Sequence, residues 1–136
     1  MGIDQTIVGP DGFGDAKFVE QATPAAATNV YYVSGFTTSG EMSEKAKKFV
    51  EAYKAKYKEE PSMFAALAYD SVYMAAEAAK GAKTSVDIKD NLAKLKDFDG
   101  VTGSITIDKD HNPVKTALMI GLKDGQVDTV ETVKAE

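Results

Sequence analysis

The chain contains no cysteine among its 136 residues. That absence excludes a disulfide scaffold, a zinc ribbon and a thiol nucleophile, and it suits a cytoplasmic or a cell-surface protein equally. Histidine is nearly as scarce. The single His111 lies in the polar run Asp108-Lys-Asp-His-Asn112, whereas a metal centre needs several convergent ligands. Asp108, Asp110 and Asn112 alternate as calcium-loop ligands do, but Pro113 and Met119 stand where such a loop needs a glycine and an acid. The segment is expected to be a turn, and no metal or cofactor is expected. A hydrolase needs a nucleophile beside its base, and no serine here has a plausible histidine partner. Paired acids for glycoside chemistry are left without support. The sequence does not read as an enzyme.

Other features are missing too. No apolar run reaches the 18 residues that would suggest a membrane-spanning helix, and no basic segment followed by an apolar stretch opens the chain as an export signal would. Basic charge is in deficit, with 16 lysines and arginines against 21 acids and a net charge of −5. Phosphate recognition needs a concentrated basic face, so nucleic acid is not an expected partner. The lysines of segment 45–58 alternate with glutamates, as on a solvated helix face.

What is present is one domain's worth of ordinary globular chain, 43% hydrophobic and 27% charged, which suffices to bury a core. Its most informative stretch is Thr6-Ile-Val-Gly-Pro-Asp-Gly-Phe-Gly14. An apolar strand runs into a Gly/Pro turn, and a lone carboxylate, Asp11, sits at the exit. Ligands of open α/β sheets bind outside the carboxyl ends of strands, and an ammonium group would suit this acid. An Asp that hydrogen-bonds its own turn is the alternative.

Periodicity gives the remaining layout. A helical piece over 14–22 turns Phe18 and Val19 inward, and Asn29–Ser34 reads as a strand rich in β-branched and aromatic residues. Ala46, Phe49, Val50, Tyr53 and Tyr57 share one helix face, with Ser43 or the preceding Ser39-Gly40 as candidate cap and Glu59-Glu60-Pro61 as the stop. Ser62 caps a second, alanine-rich helix over Met63–Lys80 that ends at Gly81. Thr84 and Asp87 form a capping-box pattern for a third, with Ile88, Leu92 and Leu95 inward. The tail is β: Gly103–Asp108, a longer strand Val114–Leu122, and a turn at Asp124-Gly125 leading into Val127–Val133. The fold class is therefore α/β: β-α-β, three helices, then a C-terminal β-meander. Two early strands are too few to seat three such apolar helices.

Four stretches, in this order and spacing, resemble a known family. They are Met1-Gly-Ile-Asp…Ile7-Val-Gly-Pro-Asp-Gly-Phe13, Val30-Tyr-Tyr-Val-Ser-Gly-Phe36, Glu60-Pro-Ser-Met-Phe-Ala-Ala-Leu-Ala-Tyr-Asp-Ser-Val72 and Gly100-Val-Thr-Gly-Ser-Ile-Thr-Ile-Asp108. Nearly collinear over the whole chain, they are similar to the C-terminal portion of type 1 periplasmic substrate-binding proteins, the branched-chain amino acid receptors of ABC importers. Many relatives have Gly-Gly-Asp-Gly where this chain has Gly9-Pro10-Asp11-Gly12.

The resemblance implies two lobes around a ligand cleft. Residues 1–33 would belong to the second lobe and 34–38 to an interlobe crossing, with Ser34, Gly35 and Phe36 as hinge residues. Residues 39–99 would be first-lobe helices and 100–136 C-terminal strands, with the return crossing unplaced. By the same resemblance Asp11 would receive a ligand's α-ammonium, and Phe64 would pack on its aliphatic side chain; a core role for Phe64 stays open. The implied partners are a small neutral amino acid (Leu, Ile or Val) and an ABC permease. The implied location is the cell surface or periplasm, lipid-anchored in Gram-positive bacteria. The first lobe's carboxylate-binding groups are not in this sequence, so the chain is expected to be an incomplete ligand-binding fragment whose uncovered apolar faces drive a homodimer or swapped oligomer. A free-standing α/β interaction module without a small ligand is the competing expectation.

Overall fold

The computed structural model describes residues 4–134. Met1, Gly2 and Ile3 of the first family-like stretch, and the last two residues of segment 100–136, lie outside the described residues. Strand β1 (Ile7–Gly9) leads through a single 3-10 turn (Asp11–Gly14) into helix α1 (Ala16–Ala22), and β2 (Val30–Ser34) follows. Helices α2 (Glu44–Tyr57), α3 (Met63–Ala79) and α4 (Ser85–Leu92) come next. Strands β3 (Phe98–Gly100), β4 (Gly103–Ile107), β5 (Pro113–Val114), β6 (Ala117–Lys123) and β7 (Gln126–Val133) complete the chain.

The strands form two separate sheets. One has four strands in the order β1-β2-β6-β7, with β1 parallel to β2 and the other pairs antiparallel. The other has three short strands, β3-β4-β5, all antiparallel. Two cores follow from this division. Ala27, Val30, Tyr32, Ile120 and Leu122 are buried together in the four-stranded sheet, with Phe18 and Val19 of α1 packed against them. Phe36, Ala46, Phe49, Val50, Ala66 and Val101 make the core of the helical unit.

Local signals in the sequence account for the helix boundaries. The hydroxyls of Ser43 and Ser62 accept from Ala46 N and Ala65 N, satisfying orphan amides of α2 and α3. Thr84 and Asp87 form the reciprocal capping box at α4. Asp124 and Gly125 both have positive φ, as a two-residue hairpin turn between β6 and β7 requires. Asp108 is a turn residue, its carboxylate accepting from the amides of Asp110 and Asn112.

Two expectations need correction. The strand expected over Val114–Leu122 is two strands: β5 belongs to the small sheet and β6 to the large one, and the chain crosses between them at Lys115–Thr116. A continuous apolar run carries no mark of a change of sheet, so periodicity merged them. Strand β3, only three residues long, falls in Phe98-Asp-Gly100, too short and polar to register as a strand. Ile88, Leu92 and Leu95 are inward only in part, each half-buried.

Candidate functional site

The two units are joined where β2 leaves the large sheet. Ser34 is its last residue, paired with Leu118 of β6. Its buried hydroxyl donates to Phe36 O at 2.7 Å and accepts from Phe36 N at 3.3 Å, which folds the chain tightly around Gly35. Phe36 then enters the helical core, edge-on to Phe49 with ring centroids 6.0 Å apart. Three consecutive residues thus pass from one core to the other. Lys115–Thr116 makes the return, so two crossings run side by side.

Helix α3 sits directly on this junction. Gly35 N approaches Met63 Sδ at 3.0 Å, and a Cβ at Gly35 would lie 3.4 Å from Lys115 Nζ. Met63, Ala66 and Asp70 fall at i, i+3 and i+7, one face of α3, and turn toward the junction. Phe64, Ala68 and Val72 lie on another face, which is exposed. Phe64 is 56% exposed in the first turn of α3, so the core alternative for this residue does not hold.

Asp11 is placed by β1 and β2 together. It opens the 3-10 turn that follows β1, with its side chain exposed and no hydrogen-bond partner among the described residues. A Cβ at Gly9 would overlap the Phe13 ring, which stacks on Phe18 at 4.4 Å. A Cβ at Gly14 would meet the Tyr32 ring at 3.0 Å. Both glycines therefore let the turn lie flat on the sheet, and burial pushes the Tyr32 hydroxyl pKa above its ordinary value. That packing places Asp11 at a strand's exit with its carboxylate exposed, and among the described residues no hydrogen bond joins that carboxylate to its own turn.

A cavity of about 370 Å³ opens between the units, lined by Gly14, Asp15, Tyr32 and Ser34 on one side and Ser62 and Met63 on the other. These residues neighbour Asp11 and Phe64 in sequence and bring the two elements that carry them to one opening. Asp11 and Phe64 themselves stand outside its lining. Among the described residues no group of three or more His, Asp or Glu side chains could hold a metal ion.

Sequence reasoning missed a buried carboxylate that is fully engaged in hydrogen bonds. Asp70 is 2% exposed and accepts three bonds: Val101 N at 2.8 Å, Thr102 N at 2.9 Å and Thr102 Oγ1 at 2.7 Å. Lys115 Nζ donates to Thr102 Oγ1 at 2.8 Å and to Gly35 O at 3.3 Å. Burial pulls the Lys115 ammonium below the ordinary lysine pKa, and the Asp70 charge pulls it partly back. The available signal was an acid at the middle of an alanine-rich, largely apolar helix whose other acid, Glu77, lies in its exposed last turns, since a buried charge needs partners.

Comparison with known proteins fits this geometry. The family model described as periplasmic binding protein matches residues 1–126. The branched-chain amino acid transporter substrate-binding protein LivJ from Streptococcus pneumoniae, solved with isoleucine, is 60% identical over 98% of this chain, with a TM-score of 0.90. The leucine-binding protein LivK from Thermotoga maritima is 27% identical over 97% of the chain, with a TM-score of 0.86. The chain spans 38% of the length of each of these two. An ABC transporter substrate-binding protein from Desulfitobacterium hafniense, solved with Leu, shares the fold at 22% identity and a TM-score of 0.77, over 93% of this chain and 36% of that one. No curated protein matches.

Proposed function

Because the chain belongs to the periplasmic binding protein family, we infer that it carries one wall of an amino acid site in a branched-chain amino acid receptor of an ABC importer. The observation that supports this most is Asp11: an exposed carboxylate at the exit of β1, without a partner among the described residues, in a chain 60% identical to an isoleucine-bound receptor. The acid would hold the ligand's ammonium. Phe64, exposed on the first turn of α3, would cover its aliphatic side chain. Ser34, Gly35 and Phe36 form one hinge crossing, with the four-stranded sheet and α1 on one lobe and the helices on the other. The receptor would work outside the cytoplasm, lipid-anchored in a Gram-positive cell, and would deliver its ligand to a membrane permease.

The energetics set the test. Micromolar binding corresponds to about 8 kcal/mol, and each charge-assisted bond lost with a missing carboxylate-binding wall removes about 1.5–3 kcal/mol. This chain alone should therefore bind leucine, isoleucine or valine at millimolar strength or weaker by calorimetry. Saturable low-micromolar binding would contradict the reading of an incomplete site. In a receptor completed to the length of its relatives, Asp11→Asn should weaken binding by about 10- to 150-fold with the fold intact. Unchanged affinity there would favour an interaction module without a small ligand.

A further inference from the structure

The sequence holds three Asp-Gly pairs, Asp11-Gly12, Asp99-Gly100 and Asp124-Gly125. In any such pair the glycine nitrogen can close a five-membered ring on the aspartate Cγ, and no Cβ shields its approach. The fold treats the three differently. The Thr28 hydroxyl donates to the Asp124 carboxylate at 3.3 Å and accepts from the Asp124 amide at 2.8 Å. The Gly125 amide donates to Ala27 O at 3.0 Å, and a Cβ on Gly125 would lie 2.7 Å from Val19 Cγ1. Asp99 pairs with Lys45 at 3.5 Å, and Gly100 is buried in β3, opposite Gly103 and against Asp70. Asp11-Gly12 has none of this. Both residues are exposed, and a Cβ at Gly12 would meet nothing within 4 Å. Neither the Asp11 carboxylate nor the Gly12 amide has a hydrogen-bond partner among the described residues. The pair sits in a single 3-10 turn that lacks a side-chain cap.

We propose that Asp11-Gly12 is a modification site, where the aspartate converts spontaneously to isoaspartate with water as the only reagent. The Gly12 nitrogen bonds to Asp11 Cγ and gives up its proton. One carboxyl oxygen departs as water, taking that proton and a second from solvent, and a succinimide ring remains. Water then adds to one of the two ring carbonyls, and the bond from that carbon to nitrogen breaks. Opening at Cγ restores aspartate; opening at the main-chain carbonyl leaves the chain running through Cγ. The new carboxyl ionises and returns the borrowed proton, so the product is an isomer of the starting chain and nothing is oxidised or reduced. Closing the ring requires the peptide after the aspartate to rotate. At Asp99 and Asp124 that rotation would break the contacts just named. At Asp11 it strains one exposed turn, in which Phe13 N donates to Pro10 O at 3.1 Å. The consequence rests on the receptor reading. Isoaspartate lengthens the main chain by a methylene and carries its carboxylate directly on Cα, which moves the acid by about 1.5 Å relative to β1. The stack of Phe13 on Phe18 still holds the far end of the turn. A charge-assisted bond to an ammonium group is weakened by such a displacement, so the site would lose strength with age while both cores stay folded.

The test needs no ligand, so the chemistry can fail while the receptor reading stands, and the reverse. The full chain is kept for weeks at neutral pH, sampled, and digested with trypsin, which places the three pairs in separate peptides, 1–17, 97–109 and 124–134. Isoaspartate has the mass of aspartate but a different retention, and electron-transfer fragmentation assigns its position. It should accumulate at position 11 about tenfold faster than at positions 99 and 124, since each hydrogen bond given up on the way to the ring slows closure several-fold. In chain unfolded by urea the three rates should converge. Gly12→Ala, for which the structure has room, should slow position 11 by about tenfold and leave the other two pairs unchanged. Equal rates at the three pairs in folded chain, or a preference for position 11 that survives in urea, overturn the proposal. So does a Gly12→Ala chain that is folded by circular dichroism yet isomerises at position 11 as fast as the parent. If Gly12→Ala does not fold, the comparison of folded with urea-unfolded parent decides.

Discussion

The two units solve the same packing problem by different means. In the four-stranded sheet the backbone does most of the closing: β2 and β6 each have a hydrogen-bonded neighbour on both sides, and Val30 and Ile120 beneath them are 1% exposed. The edge strand β7 carries Asp128 and Glu131 among its exposed residues, charges that discourage further pairing. In the helical unit side chains do the closing. Phe49 packs on Phe36, Tyr53 and Tyr69, with centroids between 4.8 and 6.0 Å. That aromatic core binds α2 to α3 yet leaves one side of both helices uncovered, where Tyr57, Val72 and Tyr73 are more than half exposed. A sheet can finish its core with one covering helix. A helix pair with apolar residues around most of its circumference needs something on each side.

The comparison is broken most severely in the sheet. Ile120→Ala should destabilise the chain by about 2–5 kcal/mol in urea unfolding, because a side chain buried on every side leaves a cavity. Phe64→Ala, by contrast, should stay within about 0.5 kcal/mol of the parent, as surface substitutions do. If both changes cost the same, the division into a closed sheet core and an open helical face is wrong. Phe64 would then contribute to stability in a way its 56% exposure does not explain.

How much of this was legible in the sequence depends on the distance over which each feature is determined. Caps, the Asp124-Gly125 hairpin and the inward face of α2 rest on neighbours within a turn or two, and residue type alone specified them. The break at Lys115–Thr116 is different. Whether a run of β-formers continues in one sheet or changes to another is decided by partners some 80 residues away, such as Gly35 and Ser34. Asp70 belongs to the same class. Nothing within a helical turn of it satisfies the carboxylate, and its partners Val101 and Thr102 arrive only with the tertiary fold. Asp11 was visible as a carboxylate at a strand exit, and Phe64 only through family resemblance, since an aromatic at the start of an apolar helix reads equally well as core.

The open helical face gives the next prediction. A groove of about 660 Å³ between α2 and α3, floored by Ala52, Tyr53, Tyr57, Ala68, Val72 and Tyr73 with Lys45, Lys48 and Lys56 also in its lining, is mostly apolar and uncovered among the described residues. The proposal is that it drives self-association of the chain. Sedimentation velocity should show a dimer or larger species at micromolar concentration, and Val72→Lys should shift it to monomer, because it adds a cation to a groove that already has Lys45, Lys48 and Lys56 in its lining, where burying an unpaired charge is costly. A parent chain that sediments as a monomer and unfolds cooperatively would show that the helical unit is as self-sufficient as the sheet.

The smallest effect concerns acid, and it falls on the helical unit alone. The carboxylate of Asp87 accepts from the amides of Lys83 and Thr84 at the start of α4. Its pKa is held below 3.8, chiefly by the Lys83 amide, then by the Thr84 side chain and the Thr84 amide. The folded value lies below the unfolded one. This cap's contribution is therefore complete above about pH 3.8 and is lost as pH falls through the lower folded value. Asp108 is lowered too, first by the Asn112 amide, and adds an acid dependence of the same sign at the 108–112 turn. Amide shifts of Lys83 and Thr84, followed by nuclear magnetic resonance from pH 5 downward, should titrate in the parent and go flat in Asp87→Asn, which keeps an acceptor but no charge. The Asp108-dependent shift of Asn112 should persist in that variant. An unchanged Lys83 titration in Asp87→Asn would mean that another group sets the acid response of α4, and that its first turn is not held by the reciprocal cap with Thr84.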